Sequence, residues 1–196
     1  MFAERLAEFS RDRLGGLDVP DDLRTMLVAQ WEGRTEIGDL LDIRFVEPGE
    51  DGPLYAPPPR RPESESAIVN AGAAAMSAYA KLIAEDGNGN WIGYWVHPDE
   101  PSDRPPLIVG RDTEATWFGL PGSTLAQACA AQEAEYQDET DVSRAFADVA
   151  DRLAALGLEI GTRDHDSLDS TPTVVDPEKL NLELEDAERA RRRGSA

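Results

Sequence analysis

The chain has 196 residues, 40% of them hydrophobic, enough to bury a core without disulfide or metal staples. Its 39 acidic residues against 19 basic ones give a formal net charge of −20, which argues against binding nucleic acid or an anionic membrane surface and favours a basic protein partner. The lone cysteine, Cys129, excludes an intrachain disulfide and a cysteine zinc site and is consistent with a reducing compartment.

The opening MFAERLAEFSRDR lacks the apolar stretch of a signal peptide, and no apolar run reaches membrane-spanning length. A soluble cytoplasmic protein is therefore expected. Phe2, Leu6 and Phe9 recur at helical spacing and predict a first helix that stops at Gly15-Gly16. A second helix follows in VPDDLRTMLVAQW, where Pro20 suits the first turn and Asp21 and Asp22 favour the positive helix end. Leu23, Leu27 and Trp31 share a face of it, and Gly33 ends it. A short strand is expected through Ile43–Phe45.

Six prolines between Pro48 and Pro62 exclude a helix or a central strand there and predict a surface loop of polyproline character. SESAIVNAGAAAMSAYAK then reads as an alanine-rich helix with Ile68, Gly72, Met76 and Tyr79 along one side. Beyond it, EDGNGN carries the Asp-Gly and Asn-Gly pairs of a tight hairpin, preceded by aliphatic Leu82-Ile83. WIGYWVH alternates, with Trp91, Gly93, Trp95 and His97 on one face and Ile92, Tyr94 and Val96 on the other. Leu107–Val109 and Trp117-Phe118 give two further strands joined by an RDTEA turn, without an intervening helix, which makes an antiparallel meander.

Thr124-Leu125-Ala126-Gln127 has the form of a capping box opening the next helix. In DVSRAFADVADRLAALG, Val142, Phe146, Val149, Leu153 and Leu156 define the clearest helix of the chain, closed by Gly157. The composition after Gly161 has no periodicity and reads as a polar linker. Asp176-Pro177-Glu178 starts a terminal charged helix, supported by the pairs Glu185/Arg189 and Glu188/Arg192 and expected to dock weakly or not at all. The expected organisation is an α+β domain over 1–160, with the proline-rich loop at 48–62, followed by the linker and charged helix over 161–196.

Chemistry-bearing patterns are sparse. Counted from Asp86 as an EF-hand loop, Asn88 and Asn90 fall on ligand positions, but Trp91 stands where glycine is needed and His97 where the bidentate glutamate belongs. The only histidines, His97 and His165, have no second histidine or cysteine at ligand spacing. Cys129 sits in LAQACAAQ without a nearby base and reads as a small core residue. G-x-S-x-G and the glycine-rich phosphate fingerprints are absent from the sequence. No catalytic residue, cofactor site or metal site is therefore assigned.

Trp91, Trp95 and Trp117 on neighbouring strands form one aromatic face, either packed under helices or open to a partner. Asp86, Asp99, Glu100, Asp103, Asp112 and Glu114 fall in the tips and connections of the same meander. An acidic rim beside aromatics suits a basic partner.

The order VPDDLRTML, LIAEDGNGNWIGYWV, PPLIVGRDTEATWFGLPGSTLAQACA resembles the SUKH superfamily, over about residues 15–135. Its members show an early proline–acidic–leucine helix, a Gly/Asp-rich hairpin with an aromatic strand, further short strands and a Ser/Thr-capped helix. The glycine-rich turn after the second helix is reduced here to Glu32-Gly33, and the proline-rich insertion and the helices after Gln132 are additions. The resemblance implies an α+β fold, an antiparallel sheet wrapped by helices, without enzymatic activity. Many bacterial relatives are immunity proteins that neutralise a cognate polymorphic or contact-dependent toxin, often a nuclease or deaminase; fungal relatives are regulatory interaction proteins. A protein that binds a basic toxin domain is the resulting expectation, with a regulatory or scaffold protein as the alternative. The residues expected at the partner surface are Asp86, Asn88, Trp95, Asp99, Glu100, Asp112 and Glu114.

Overall fold

The computed structural model describes residues 2–50 and 65–194. Most of the proline-rich stretch, and with it the polyproline expectation, lies outside the described residues. The order of elements is α1 (Ala3–Arg13), α2 (Asp21–Trp31), α3 (Glu36–Leu41), β1 (Ile43–Phe45), α4 (Glu65–Met76), β2 (Ala80–Asp86), β3 (Trp91–Trp95), β4 (Ile108–Arg111), β5 (Trp117–Gly119), α5 (Leu125–Gln137), α6 (Val142–Ala155) and α7 (Pro177–Arg193). A single 3-10 turn, His165–Ser167, lies between α6 and α7. The sheet runs β1-β2-β3-β4-β5, every neighbour antiparallel, so the α+β meander is the observed architecture.

Both faces of the sheet are buried, which makes three layers. Ile83, Ile92, Tyr94 and Ile108 face a core that includes Phe9, Leu23, Leu27, Leu40, Cys129, Phe146 and Leu153. The opposite face carries Leu82, Trp91, Trp95, Val109 and Trp117, packed with Met76 and overlaid by Leu180 and Leu184 of α7. The alternation of WIGYW thus sorts side chains between two cores rather than between core and water.

A bulge in β2 between Leu82 and Ala84 puts both Ile83 and Ala84 into the first core. It also presses the β2 backbone against Gly93, where an added Cβ would lie 1.9 Å from the Lys81 carbonyl oxygen. Glycine in the middle of the aromatic strand is a steric requirement.

Two elements differ from expectation near the sheet. The alanine-rich helix ends at Met76, and Ala80 and Lys81 pair instead with Trp95 and Tyr94, so strand pairing overrides helix propensity. Helix α3 lacks a legible period, since it has only six residues including Gly38, and it closes at Asp42, whose φ of 49° turns the chain into β1.

The terminal helix, expected to dock weakly or not at all, packs on the fold. It lies along α4 and β5, with Pro177, Asn181 and Glu185 buried. At Gly72 the two helices approach so closely that an added Cβ would lie 2.9 Å from Glu185 Cγ. Glu185 accepts from Asn181 Nδ2 at 3.1 Å and from Arg189 Nη2 at 3.1 Å, so the buried carboxylate is paired. Arg189 also pairs with Glu65, and Arg192 Nη2 donates to the Ala67 carbonyl. The preceding stretch is irregular, as expected, yet pinned: Leu168 packs on the first core and Ser170 Oγ donates to the Leu120 carbonyl.

Candidate functional site

The β2–β3 turn is built around one carboxylate. Asp86 is 7% exposed, and its Oδ1 accepts from the backbone N–H of Asn88 at 2.9 Å and of Asn90 at 2.8 Å. Its Oδ2 accepts from Asn90 Nδ2 at 2.8 Å and from Gln132 Nε2 of α5 at 3.1 Å. Gly89, at φ +81°, completes the reversal, and Asn88 stands exposed at the tip.

The β4–β5 turn repeats this chemistry. Asp112 Oδ1 accepts from Glu114 N at 2.9 Å and Thr116 N at 2.8 Å, leaving Glu114 exposed. Antiparallel pairing of β3 with β4, Trp91 opposite Arg111, sets the two turns side by side. A Cβ at Gly89 would touch Thr113 Cγ2 at 3.4 Å. Two residues from elsewhere in the chain join them. Asp42 Oδ2 accepts from Gly87 N at 3.2 Å. Tyr136, 55% exposed at the end of α5, takes hydrogen bonds on its hydroxyl oxygen from Gln132 Nε2 at 3.2 Å and Asn90 Nδ2 at 3.4 Å.

Trp95, Asp99 and Glu100 lie at the other end of the sheet, a strand length of about 13 Å away at ~3.3 Å per residue. The seven expected partner residues therefore divide: Asp86, Asn88, Asp112 and Glu114 come together, and the remaining three do not join them. Trp95 is 1% exposed, with Trp91 at 8% and Trp117 at 0%, so the aromatic face is core rather than an open surface. Its indole stacks on His97 at 5.7 Å, and Tyr79 meets the same imidazole at 4.6 Å. His97 Nδ1 accepts from Asp99 N at 3.3 Å, while the Asp99 side chain is exposed.

Glu100 serves the interior too. Its carboxylate accepts from Val175 N at 2.9 Å, Val174 N at 3.0 Å and Trp95 Nε1 at 3.3 Å. Partial burial pushes its pKa up, but these donors, led by the two backbone N–H groups, outweigh that and hold it below the ordinary glutamate value.

Cys129 is 1% exposed, and burial, reinforced by the charges of Asp22 and Asp86, pushes its thiol far above the ordinary range. Among the described residues no group of three or more His, Cys, Asp or Glu is arranged to hold a metal ion, and no helix is long and apolar enough to cross a membrane. The site offers hydrogen-bonding and charged groups on a rigid sheet end, which suits recognition of another surface.

No protein-family model matches the chain, and neither a curated protein nor a solved structure gives a significant match.

Proposed function

We propose that the chain is a non-catalytic, SUKH-like immunity protein that binds a basic toxin domain of nuclease or deaminase type in the cytoplasm and neutralises it by occlusion. The observation that carries this reading is the paired-turn end of the sheet. Two adjacent turns present Asn88 and Glu114 beside exposed Asp42 and the half-exposed ring of Tyr136. The turns are fixed from beneath by Asp86 and Asp112, so little conformational freedom is lost on binding. A rigid tyrosine within an acidic rim is a usual anchor for a cationic surface. The acidic excess of the whole chain steers such a partner in and repels the nucleic acid that a nuclease would otherwise engage.

Growth rescue is the test. Co-expression of this chain with the toxin-domain protein encoded nearest to it is expected to restore growth, and Tyr136→Ala with Glu114→Lys to reduce the rescue. Failure with every toxin-like neighbour would remove the immunity reading.

A further inference from the structure

We propose that the stretch 171–176 and α7 form a latched cover over the tryptophan face, opening as a unit while the rest of the fold stays closed, with the Glu100 carboxylate as the latch. Three observations converge on it, none of them dependent on the proposed toxin partner.

The first is where the cover is held. Its N-terminal part is fixed by Glu100, which gathers the N–H groups of Val174 and Val175 together with the indole of Trp95 under the cover. One side chain thus ties the entering backbone to the face it hides. The second is what the cover rests on. The centre of the α4–α7 contact is polar, Asn181 and Glu185 against Gly72, whereas α5 buries Leu125, Cys129 and five alanines. A polar seam gives a local opening free energy well below that of an apolar one.

The third is the balance of polar atoms. Among the described residues Asn181 Oδ1 and Trp117 Nε1 are buried without a hydrogen-bond partner, one belonging to α7 and the other to β5 directly beneath it. Opening hydrates both, which lowers its cost. The cluster on this face carries Trp91, Trp95, Trp117, Leu107 and Val109 beside Met76 of α4, and the amphipathic α7 closes it on the side of β5 with Leu180 and Leu184. Closure by a terminal helix keeps that broad apolar face out of solvent until the latch is undone.

Hydrogen exchange on the full chain, read segment by segment, tests the device. In Glu100→Gln, amides of 174–193 are expected to exchange roughly tenfold faster while those of α5 and α6 hold their rates. Gly72→Ala acts at the centre of the α4–α7 contact, away from the latch, by pushing on Glu185 Cγ, and is expected to give the same pattern. Uniform acceleration of α5, α6 and α7 in Glu100→Gln would overturn the proposal, as would an α7 whose exchange does not change there. If Gly72→Ala perturbs α4 itself, the Glu100→Gln comparison decides alone.

Discussion

Single side chains hold the paired-turn end and the bulged strand in place, and each has a measurable cost of removal. Asp86 satisfies four N–H donors while nearly buried, so Asp86→Ala leaves those donors without their charged acceptor. A loss of about 2–4 kcal/mol is expected in urea unfolding. Asp86→Asn retains an oxygen for the backbone pair but turns an amide N–H₂ toward Asn90 Nδ2 and Gln132 Nε2, and should fall between the two. If Asp86→Ala unfolds at the wild-type midpoint, the carboxylate does not organise the turn. Gly93 is a sharper case, because no rotamer adjustment moves the Lys81 carbonyl away from a new Cβ at 1.9 Å. Gly93→Ala should cost about 3 kcal/mol or more, as a backbone clash within a packed sheet. The sequence announces part of this. Asp-Gly-Asn-Gly and Asp-Thr-Glu-Ala read as turns on local chemistry, and the residues at their tips are where expected. The partners Asp42, Gln132 and Tyr136 come from positions 44 to 50 residues removed from Asp86, and nothing local marks them. Trp95 illustrates the converse: alternation assigns its face correctly, but whether that face is covered depends on a helix that begins 82 residues later.

Elements with a long apolar period were legible, and those whose fate rests on pairing were not. In α6, Phe146, Val149 and Leu153 are buried as their spacing predicts, and the Thr124 side chain caps α5 by accepting from Gln127 N. In β2 the residues Ala80 and Lys81 follow an alanine-rich run and carry no strand signal of their own; only Trp95 and Tyr94 opposite them decide the conformation. Helix α7 looks solvated because charges dominate it, yet Leu180, Asn181, Leu184 and Glu185 form one stripe, in which the carboxylate is neutralised by Arg189. The stretch leading into α7 should be the acid-sensitive part of the fold. Glu100 has a lower pKa folded than unfolded, so its stabilising effect is complete above the ordinary glutamate value of 4.5 and is lost as pH falls through the lower folded value. The nearby Arg104 charge acts in the same direction, extending the protected range downward. On acidification below 4.5, protection at Val174 and Val175 should be lost before that of α5, as followed by exchange or by Trp95 emission. In Glu100→Gln that step should be missing, with the segment already less protected at neutral pH. Loss of α5 and of Val175 protection in one acid transition would contradict the assignment.

At the scale of the whole molecule, charge number and charge position make separable predictions about a basic partner. A net charge of −20 repels itself, so adding salt should raise the melting temperature, while it slows association by screening attraction over distances beyond about 8–10 Å. Slower association in salt would be seen wherever on the surface the partner lands, and so does not locate the docking face. Position is tested by two double variants matched in charge. Glu114→Lys with Glu135→Lys alters the paired-turn end and the adjoining end of α5 without touching a carboxylate that holds a turn, and Asp99→Lys with Asp103→Lys alters the connection between β3 and β4 at the opposite end. Each exchange of an acid for lysine adds two charges, so both doubles stand at −16 rather than −20. Long-range steering is then reduced equally in both, by roughly two- to threefold in on-rate at low salt. Close-range complementarity is lost only where the partner sits, which should take the paired-turn double down by roughly a further tenfold. Stopped-flow association across a salt series separates the two, since the common component vanishes at high ionic strength and the local one persists. Equal on-rates for both doubles at every salt concentration would mean that the acidic excess acts only as a field, and that the paired turns are not where the partner docks.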